Sequence, residues 1–444
     1  MKKSIIVLVL GLSFALFGKY SADISLDKAD GFYKSGETAV CSVLLKKDNA
    51  PLNGVKARLL LKKEGRIVKQ QIFETDGKVK QFDVKLDAPG WACFCFEVLG
   101  EDGKPLSGKD VYKHRAKPTV VTEIGAMFDA DKITHPEKAP ADFDAFWAKR
   151  RAELDKVPMN PVLTELPCKV KNVKYYAVKV DCAGDRPVTG YLAVPTNAKP
   201  GQCPAVVEYL SWVNGDANGS VAIKRAARGV LAFYATWHGF DVGKKQDFYV
   251  KNIRGSVQGG RKDINDPEKW VMGQIHYRVM RALDYIKTRP EWDKKNLVVV
   301  GGSLGGAQTA AAAALDKDIT IALVGVPCFA EFDTRKTGRT ASIPHRNVKS
   351  IRKGDDRPLK AGAYFDIVHF APRTKCEVFV CTGFVDETCP PSNVFAYYNA
   401  LNCKKTISTN PATGHFGTTK NIKGNAKIEE LIGSITVYNY NVHK

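Results

Sequence analysis

Residues 297–314, LVVVGGSLGGAQTAAAAA, decide the fold of this chain. The four apolar residues predict a short buried strand, and the alanine-rich end predicts a helix that can pack closely on a sheet. Between them, residues 301–305 match the pattern G-x-S-x-G, in which glycines permit a strained turn from strand to helix. This turn would hold the hydroxyl of Ser303 above the sheet as a nucleophile. A phosphate-binding glycine loop is disfavoured, because no Lys-Ser or Lys-Thr pair follows the glycines.

Strand-like apolar runs alternate with helical patterns on both sides of this stretch. We expect strands at residues 174–180, 189–194, 205–209, 230–234, 297–300, 321–326 and 377–382, and helices at residues 267–287, 304–315, 391–401 and 426–434. Short apolar strands joined by helices indicate a largely parallel sheet that is covered on both faces. Together with the nucleophile turn, this pattern predicts an α/β-hydrolase domain at residues 140–444.

A serine nucleophile needs a base, and the base needs an acid that orients it. In an α/β-hydrolase these groups follow in the order Ser, acid, His, on loops after later strands. Asp386 comes just after the predicted strand 377–382, and His415 follows the strand-like run 404–408. The sequence therefore predicts a triad of Ser303, Asp386 and His415.

Three other residues compete for these roles. Glu387 is the rival carboxylate, but the two prolines at 390 and 391 fix the loop and favour Asp386. His345 and His369 are rival bases, although both precede Asp386 and so break the expected order. No pair of Cys or His residues has convincing metal-ligand spacing, so we expect neither a metal nor an organic cofactor.

The negative oxygen that forms during acyl transfer needs hydrogen-bond donors. The backbone N–H of Leu304 opens the helix after Ser303 and is one candidate donor. The second donor should come from the loop after an earlier strand, and residues 205–215 fit that description. We expect the N–H of Trp212 or of Ser211 to fill this role.

The first part of the chain has a different hydrophobic pattern. Short alternating runs are separated by turn formers about every ten residues, at 39–45, 55–61, 67–73, 79–86 and 91–99. This pattern predicts a small antiparallel β-sandwich, immunoglobulin-like, at residues 23–117. Prolines at 118, 136 and 140 indicate a linker at residues 118–139. The front segment holds no cluster of catalytic residue types, so we assign it a structural or interaction role.

The N-terminus indicates export. Lys2 and Lys3 precede an apolar run at residues 5–17, which is short for a membrane span. We interpret residues 1–22 as a signal peptide cleaved around Gly18 to Ala22, and expect a periplasmic, cell-surface or secreted protein without a stable membrane span after cleavage. A retained anchor helix is the alternative, because Tyr20 suits a cut after Ala22 poorly.

Eleven cysteines in an exported chain permit disulfides but do not require them. An odd number leaves at least one thiol free, and a chain this long does not need covalent crosslinks. Cys93 and Cys95 should point to the same face of one strand. A bridge from Cys41 to one of them is a hypothesis at this stage.

The charge of the chain is unusual, because 67 Lys and Arg against 47 Asp and Glu give a net charge of +20. Such a balance fits nucleic acid, an anionic surface or an acidic substrate, or simply a well solvated exterior. No nucleic-acid-binding module and no pairing of aromatic with basic residues is recognisable, so we expect no nucleic-acid partner. A basic exterior instead suits an anionic polysaccharide.

Four segments together resemble one known family. They are residues 140–147, PADFDAFW; residues 207–212, VEYLSW; residues 301–306, GGSLGG; and residues 383–399, GFVDETCPPSNVFAYYN. In these segments the chain resembles the acetyl xylan esterases and cephalosporin C deacetylases of carbohydrate esterase family seven. The resemblance runs from about residue 140 to the C-terminus, and the segment around the acid is its most specific part.

The resemblance implies an α/β-hydrolase that removes acetyl groups from small acetylated sugars and xylo-oligosaccharides. It implies the triad Ser303, Asp386 and His415, with main-chain oxyanion donors at Trp212 and Leu304. It also implies that the chain can form a homo-oligomer. A β-sandwich in front of the catalytic domain resembles exported bacterial relatives.

The chain departs from the family pattern near the expected site. Leu304 stands where the family usually has Gln after the nucleophile, and Phe416 stands where it usually has Glu after the histidine. Residues 236–240, TWHGF, replace a common Arg-Gly-Gln segment. These departures leave the acyl preference open.

Three other functions remain open. They are a hydrolase of methyl or feruloyl sugar esters, a peptidase of the prolyl-oligopeptidase type, and a non-catalytic carbohydrate-binding scaffold. About ninety residues of sandwich are too few for the propeller domain that such peptidases usually carry, and a complete triad in the right order disfavours the scaffold.

Overall fold

The computed structural model describes residues 19–107, 119–212, 215–257 and 261–416. The front domain consists of nine strands in this range: β1 (Tyr20–Leu26), β2 (Phe32–Tyr33), β3 (Thr38–Lys47), β4 (Ala50–Pro51), β5 (Asn53–Lys63), β6 (Arg66–Asp76), β7 (Lys80–Lys85), β8 (Gly90–Val98) and β9 (Val120–Phe128). They form a four-stranded sheet, in which β3 pairs with β1, β4 and β7, and a five-stranded sheet in the order β2-β9-β8-β5-β6.

Strand β8 is buried along its whole length, because both of its faces are covered. Phe94 and Phe96 point into the core between the two sheets. Trp91, Cys93 and Cys95 point the other way and belong to the large core of the catalytic domain. The near-continuous apolar sequence of this strand follows from its place between two hydrophobic cores.

The front domain extends further along the chain than the sequence pattern indicated. Strand β9 lies within residues 118–139, the expected linker, and pairs with β8 from Gly90 to Glu97. Its sequence, VVTEIGAMF, is almost entirely buried, so it completes the five-stranded sheet. At the other end, Tyr20 to Ala22 begin β1 and pair with β3, although they fall inside the expected signal peptide.

The proposed bridge from Cys41 is wrong. Cys41 points into the sandwich core, whereas Cys93 and Cys95 lie on the opposite face of the five-stranded sheet. The main chain of that sheet therefore separates the thiols, and none of the eleven cysteines forms a disulfide.

The expected catalytic domain is built around a nine-stranded mixed sheet. Its strands are β10 (Val162–Leu166), β11 (Val173–Val180), β12 (Val188–Pro195), β13 (Cys203–Tyr209), β14 (Leu231–Ala235), β15 (Trp292–Gly302), β16 (Ile321–Gly325), β17 (Glu377–Gly383) and β18 (Lys405–Asn410). They lie in the order β10-β11-β12-β14-β13-β15-β16-β17-β18. The pairings from β10 to β14 are antiparallel, and those from β14 to β18 are parallel.

Helices cover this sheet, and the described ones are α1 (Phe143–Asp155), α2 (Gly219–Ala226), α3 (Gln246–Val257), α4 (Val271–Lys287), α5 (Leu304–Leu315), α6 (Lys349–Arg352), α7 (Arg357–Gly362), α8 (Ile367–Phe370) and α9 (Pro391–Ala400). The fold is thus of the expected α/β class. The expected helix at residues 426–434 lies outside the described residues. Among those described, no helix is long and apolar enough to cross a membrane.

The front domain packs directly on the loops that follow β17 and β18. The indole Nε1 of Trp91 donates a hydrogen bond to the carbonyl of Phe384 at 2.5 Å. The N–H of Gly125 in β9 donates to the carbonyl of Pro411 at 2.9 Å. Phe32 meets the ring of Phe384 edge-on at 5.3 Å. Because Phe384 lies two residues before Asp386, this contact fixes the loop that holds the expected acid.

Glu64 makes a polar contact between the two domains. Its carboxylate accepts hydrogen bonds from the N–H of Trp91 and from the hydroxyl of Ser392 on α9, both at 2.7 Å. Burial disfavours the charged form and raises the pKa of Glu64 to about 7. Nearby, Lys62 pairs with Glu387 at 2.6 Å.

Candidate active site

Ser303 lies at the turn between β15 and α5. Its backbone has φ +56° and ψ −118°, which is strained for a residue with a side chain. Hydrogen bonds hold it on both sides. Its N–H donates to the carbonyl of Gly325 at 2.9 Å, and its carbonyl accepts from the N–H of Cys328 at 3.2 Å and of Ala307 at 3.1 Å. The residue is therefore held in the conformation that the glycine pattern predicts.

The glycines around Ser303 leave room for the close approach of main chains. A Cβ on Gly306 would lie 2.6 Å from the carbonyl oxygen of Gly325 and 3.1 Å from Cα of Pro327. A Cβ on Gly305 would collide with the carbonyl of Tyr209 at the end of β13. Neither neighbour is a flexible side chain, so only glycine lets α5 start directly against the edge of the sheet.

Asp386 and His415 form a hydrogen-bonded pair. Nδ1 of His415 lies 2.8 Å from Oδ2 of Asp386 and must donate, because a carboxylate only accepts. Both side chains are buried. The other oxygen, Oδ1 of Asp386, accepts from the N–H groups of Thr388 at 2.8 Å and of Cys389 at 2.9 Å. These bonds fix the carboxylate and thereby the tautomer of the histidine, leaving Nε2 free of a proton when the ring is neutral.

Burial and the neighbouring groups act in opposite directions on the pKa of His415. Burial disfavours the charged ring, but the charge of Asp386 and the hydrogen bonds to Asp386 and Cys389 outweigh it, so the pKa of His415 is raised well above its usual 6.5. Cys389 hydrogen-bonds with both His415 and Cys328, and burial raises the pKa of its thiol well above the usual value. Cys328 in turn donates its N–H to Ser303. A continuous chain of contacts therefore joins Ser303 to His415.

Two cavities meet this group of residues. A small pocket of about 150 Å3 contains Ser303 and Leu304 and is otherwise lined mainly by Trp212, Met272, Phe329 and Ile343. A larger cleft of about 1160 Å3 reaches Asp386 and His415 and is lined by both domains. The two cavities differ in size, and the smaller one, which contains Ser303, has a mainly apolar lining.

The two residues expected to supply oxyanion donors lie beside Ser303. Leu304 is the first residue of α5, so its N–H has no partner inside the helix. Trp212 lines the same small pocket as Ser303. Its loop is tied to the turn, since the Ser211 hydroxyl donates to the carbonyl of Gly302 at 2.6 Å and Nε2 of Gln308 donates to the carbonyl of Leu210 at 3.0 Å.

Residues 236–240, where the chain departs from the family pattern, support this loop. The indole of Trp237 is fully buried and stacks on that of Trp212 at 4.4 Å with 15° between the planes. Nδ1 of His238 accepts from the N–H of Phe240, so its Nε2 carries the proton and donates to the carbonyl of Gly215 at 3.2 Å. Burial lowers the pKa of His238 to about 3. The sequence pattern marked these residues as departures but did not reveal this supporting role.

The rival residues have other partners. Glu387 pairs with Lys62 of the front domain. Nε2 of His345 donates to the carbonyl of Pro358 at 2.7 Å, and burial lowers its pKa to about 4. The ring nitrogens of His369 face the carbonyls of Ala363 and Glu137 at 2.8 and 3.3 Å. Both histidines hold loops together by bonding to main-chain carbonyls.

Two groups of described side chains have the composition of metal ligands. Asp386, Cys389 and His415 have their ligand atoms within 4.8 Å of one another, and so do Cys93, Cys95 and Glu123. In the first group, the hydrogen bond between Asp386 and His415 already uses one nitrogen of the ring. In the second group, the two sulfur atoms lie 3.5 Å apart and Cys95 contacts Glu123 at 3.7 Å.

Comparison with known proteins identifies the family of this chain. The family model described as acetyl xylan esterase (AXE1) matches residues 130–427. The acetyl esterase Axe7A of Xylanibacter ruminicola is 28% identical over 344 residues, covering 72% of this chain and 70% of that protein. An acetyl xylan esterase from Paenibacillus sp. R4 is 27% identical with a TM-score of 0.58, covering 65% of this chain and 93% of that one.

A second solved structure shows the same fold. Acetyl xylan esterase 1 from Thermoanaerobacterium sp. JW/SL YS485 superposes with a TM-score of 0.56 at 22% identity, covering 68% of this chain and 96% of that one. Both structures align with the larger part of this chain, and the family model ends beyond His415. The chain is therefore a carboxylic ester hydrolase with an α/β-hydrolase fold, and it belongs to the acetyl xylan esterase family.

Proposed function

We propose that this protein is an exported serine esterase that removes acetyl groups from acetylated xylan, xylo-oligosaccharides or related sugars. The observation that carries the proposal is the buried hydrogen bond between His415 and Asp386, beside a strained Ser303 in a member of the acetyl xylan esterase family. The acetylated substrates named for the relatives supply the substrate class.

In the proposed reaction, Nε2 of His415 takes the proton of the Ser303 hydroxyl while its oxygen attacks the acetyl carbonyl. The N–H groups of Leu304 and Trp212 stabilise the negative oxygen of the tetrahedral intermediate. Its collapse breaks the bond to the sugar, whose oxygen leaves with the proton from His415. Water, deprotonated by His415, then attacks the acetyl-serine; the bond to Ser303 breaks, the serine oxygen takes the proton back from His415, and acetate is released. Asp386 orients the ring and stabilises its charged form throughout.

The size of the nucleophile pocket supports a small acyl group. A volume of about 150 Å3 and an apolar lining that includes Met272 and Phe329 suit an acetyl methyl group and leave little room for a feruloyl group. The sugar would then occupy the open cleft. We expect acetate release to exceed release of methanol or ferulate in a panel of acetylated, methylated and feruloylated sugars; equal or preferred feruloyl hydrolysis would contradict this assignment.

Two variants test the nucleophile. Ser303→Ala should abolish hydrolysis of 4-nitrophenyl acetate and of acetylated xylo-oligosaccharides, whereas Ser25→Ala, on an exposed position of β1, should leave both unchanged. Labelling by a fluorophosphonate should follow the same pattern. A wild-type protein that neither reacts with the probe nor releases acetate would favour the alternative of a non-catalytic carbohydrate-binding scaffold.

The proposal also covers the export of the protein, its assembly and the topology of its front domain. We propose that a signal peptide at residues 1–22 is removed around Gly18 to Ala22, close to the start of β1. The mass of the protein recovered outside the cytoplasm would test the cut. We also propose that the two-sheet front domain is immunoglobulin-like and that the chain can form a homo-oligomer, which light scattering of the purified protein would test.

A further inference from the structure

The cleft beside the proposed triad is shared between the two domains. Its front wall includes Arg66 at the start of β6, and its other wall includes Arg346, in the 3-10 turn His345–Asn347, and Arg352, at the end of α6. Asp386 and His415 also line it. A ligand bound in this cleft would therefore meet arginines from both domains.

These three arginines differ from the other two that line the cleft. Arg335 pairs with Asp333, and Arg339 pairs with Glu331. In the part of the chain that the structure describes, Arg66, Arg346 and Arg352 pair with no carboxylate. Arg346 donates to the carbonyl of Glu387 at 2.6 Å, and Arg352 donates to the carbonyl of Arg346 at 3.0 Å. These bonds to main-chain oxygens position the guanidinium groups and leave their charges uncompensated.

The carboxylates of the cleft do not balance these charges. Asp386 is engaged with His415, and Glu387 is paired with Lys62. Glu123 contacts the thiol of Cys95 at 3.7 Å. Among the described residues that line the cleft, Arg66, Arg346 and Arg352 therefore remain without a carboxylate partner, in a chain whose net charge is +20.

We propose that this cleft binds a carboxylate carried by the sugar chain, so that the preferred substrate is an acetylated oligosaccharide bearing a uronic acid. The guanidinium group matches a carboxylate with two parallel hydrogen bonds, which a neutral sugar cannot accept in the same way. A phosphate would offer similar oxygens, but the proposed substrates are sugars, in which a uronic acid supplies the carboxylate. This inference rests on the proposed function and specifies its substrate.

The test compares two acetylated xylo-oligosaccharides of equal length, one with a single glucuronic acid branch and one without. We expect the wild-type enzyme to have the higher kcat/KM on the branched substrate. Arg352→Gln and Arg66→Gln should each lower kcat/KM on the branched substrate about tenfold more than on the neutral one. Arg228→Gln, an exposed arginine outside the cleft, is the matched control and should leave the ratio unchanged.

Salt provides a second readout. Raising the NaCl concentration should reduce the preference of the wild type for the branched substrate, and the Arg66→Gln and Arg352→Gln variants should show a weaker dependence. If the wild type deacetylates both substrates equally, or if the variants lose equal activity on both, the carboxylate site is refuted while the proposed esterase stands. If the wild type releases no acetate from either sugar, the proposed function fails, and this inference fails with it.

Discussion

Substituting Gly125 by alanine tests whether the front domain holds the acid loop in place. Gly125 lies on β9, and a Cβ there would lie 2.6 Å from the carbonyl carbon of Phe384 and still closer to its oxygen. Ordinary contact requires 3.4 Å or more, so the two main chains must separate by about 0.8 Å or more. The separation would also strain the hydrogen bond from Gly125 to Pro411.

The expected cost has two parts. Forcing the two main chains apart costs roughly 1–3 kcal/mol, and losing one buried hydrogen bond costs about 1 kcal/mol more. Because Phe384 leads directly to Asp386 and Pro411 leads to His415, both members of the proposed catalytic pair would move. A displacement near 1 Å costs on the order of a hundredfold in rate, so we expect kcat/KM on 4-nitrophenyl acetate to fall by about 10- to 100-fold.

The assay combines kcat/KM with thermal unfolding measured by calorimetry. Gly100→Ala is a suitable control, because its Cβ would meet the ends of the Asp102 and Leu106 side chains at 3.2 Å, which can move. We expect this control to retain wild-type activity. A Gly125→Ala variant with unchanged activity and unchanged stability would refute the view that the two domains act as one support for the site.

Three further substitutions have defined outcomes. Gly306→Ala should lower stability by roughly 1–3 kcal/mol and reduce kcat, because the added Cβ meets the carbonyl oxygen of Gly325 and the rigid Pro327; an unchanged melting temperature would contradict this prediction. Burial raises the pKa of Glu64 from 4.5 to about 7, so the protonated side chain stabilises the folded state. This contribution to the free energy of unfolding, roughly 3 kcal/mol, is complete below pH 4.5 and is lost as the pH rises through 7. Glu64→Gln should weaken this dependence of the free energy of unfolding on pH, measured by urea unfolding at several pH values. The exposed Glu74→Gln should leave it unchanged. Because the pKa of His415 is raised, kcat/KM should increase with pH with a midpoint above 6.5, and Asp386→Asn should lower both the midpoint and the activity; an unshifted midpoint would argue against the pairing.

Much of the catalytic domain could be predicted from local sequence. The helix at residues 304–315 is found where it was expected, because glycines fix its start and alanines pack closely on the sheet. The helix expected from residue 267 begins at Val271, because Trp270 has an extended backbone and residues 266–270 form turns. The order of serine, acid and histidine located the hydrogen-bonded pair of Asp386 and His415, since both follow parallel strands that end at the same edge.

What the sequence did not reveal depends on contacts between distant segments. The assignment of residues 118–139 to a linker relied on prolines and overlooked an apolar strand whose partner, β8, lies more than twenty residues earlier. The pairing of the cysteines could not be predicted for the same reason. Alternation along a strand shows which residues share a face, but it does not show which hydrophobic core covers that face. The stacking of Trp237 on Trp212 and the arginine-lined cleft likewise join residues that are far apart in the chain.

The most direct test of the central claim is to locate the residue that a fluorophosphonate modifies. Mass spectrometry of the digested wild-type protein should find the adduct on the peptide that contains Ser303, with acetate release lost in proportion to labelling. His415→Ala should label at least a hundredfold more slowly, because Ser303 would lack its base. An adduct on another residue, or full esterase activity in a protein whose Ser303 is modified, would contradict the account.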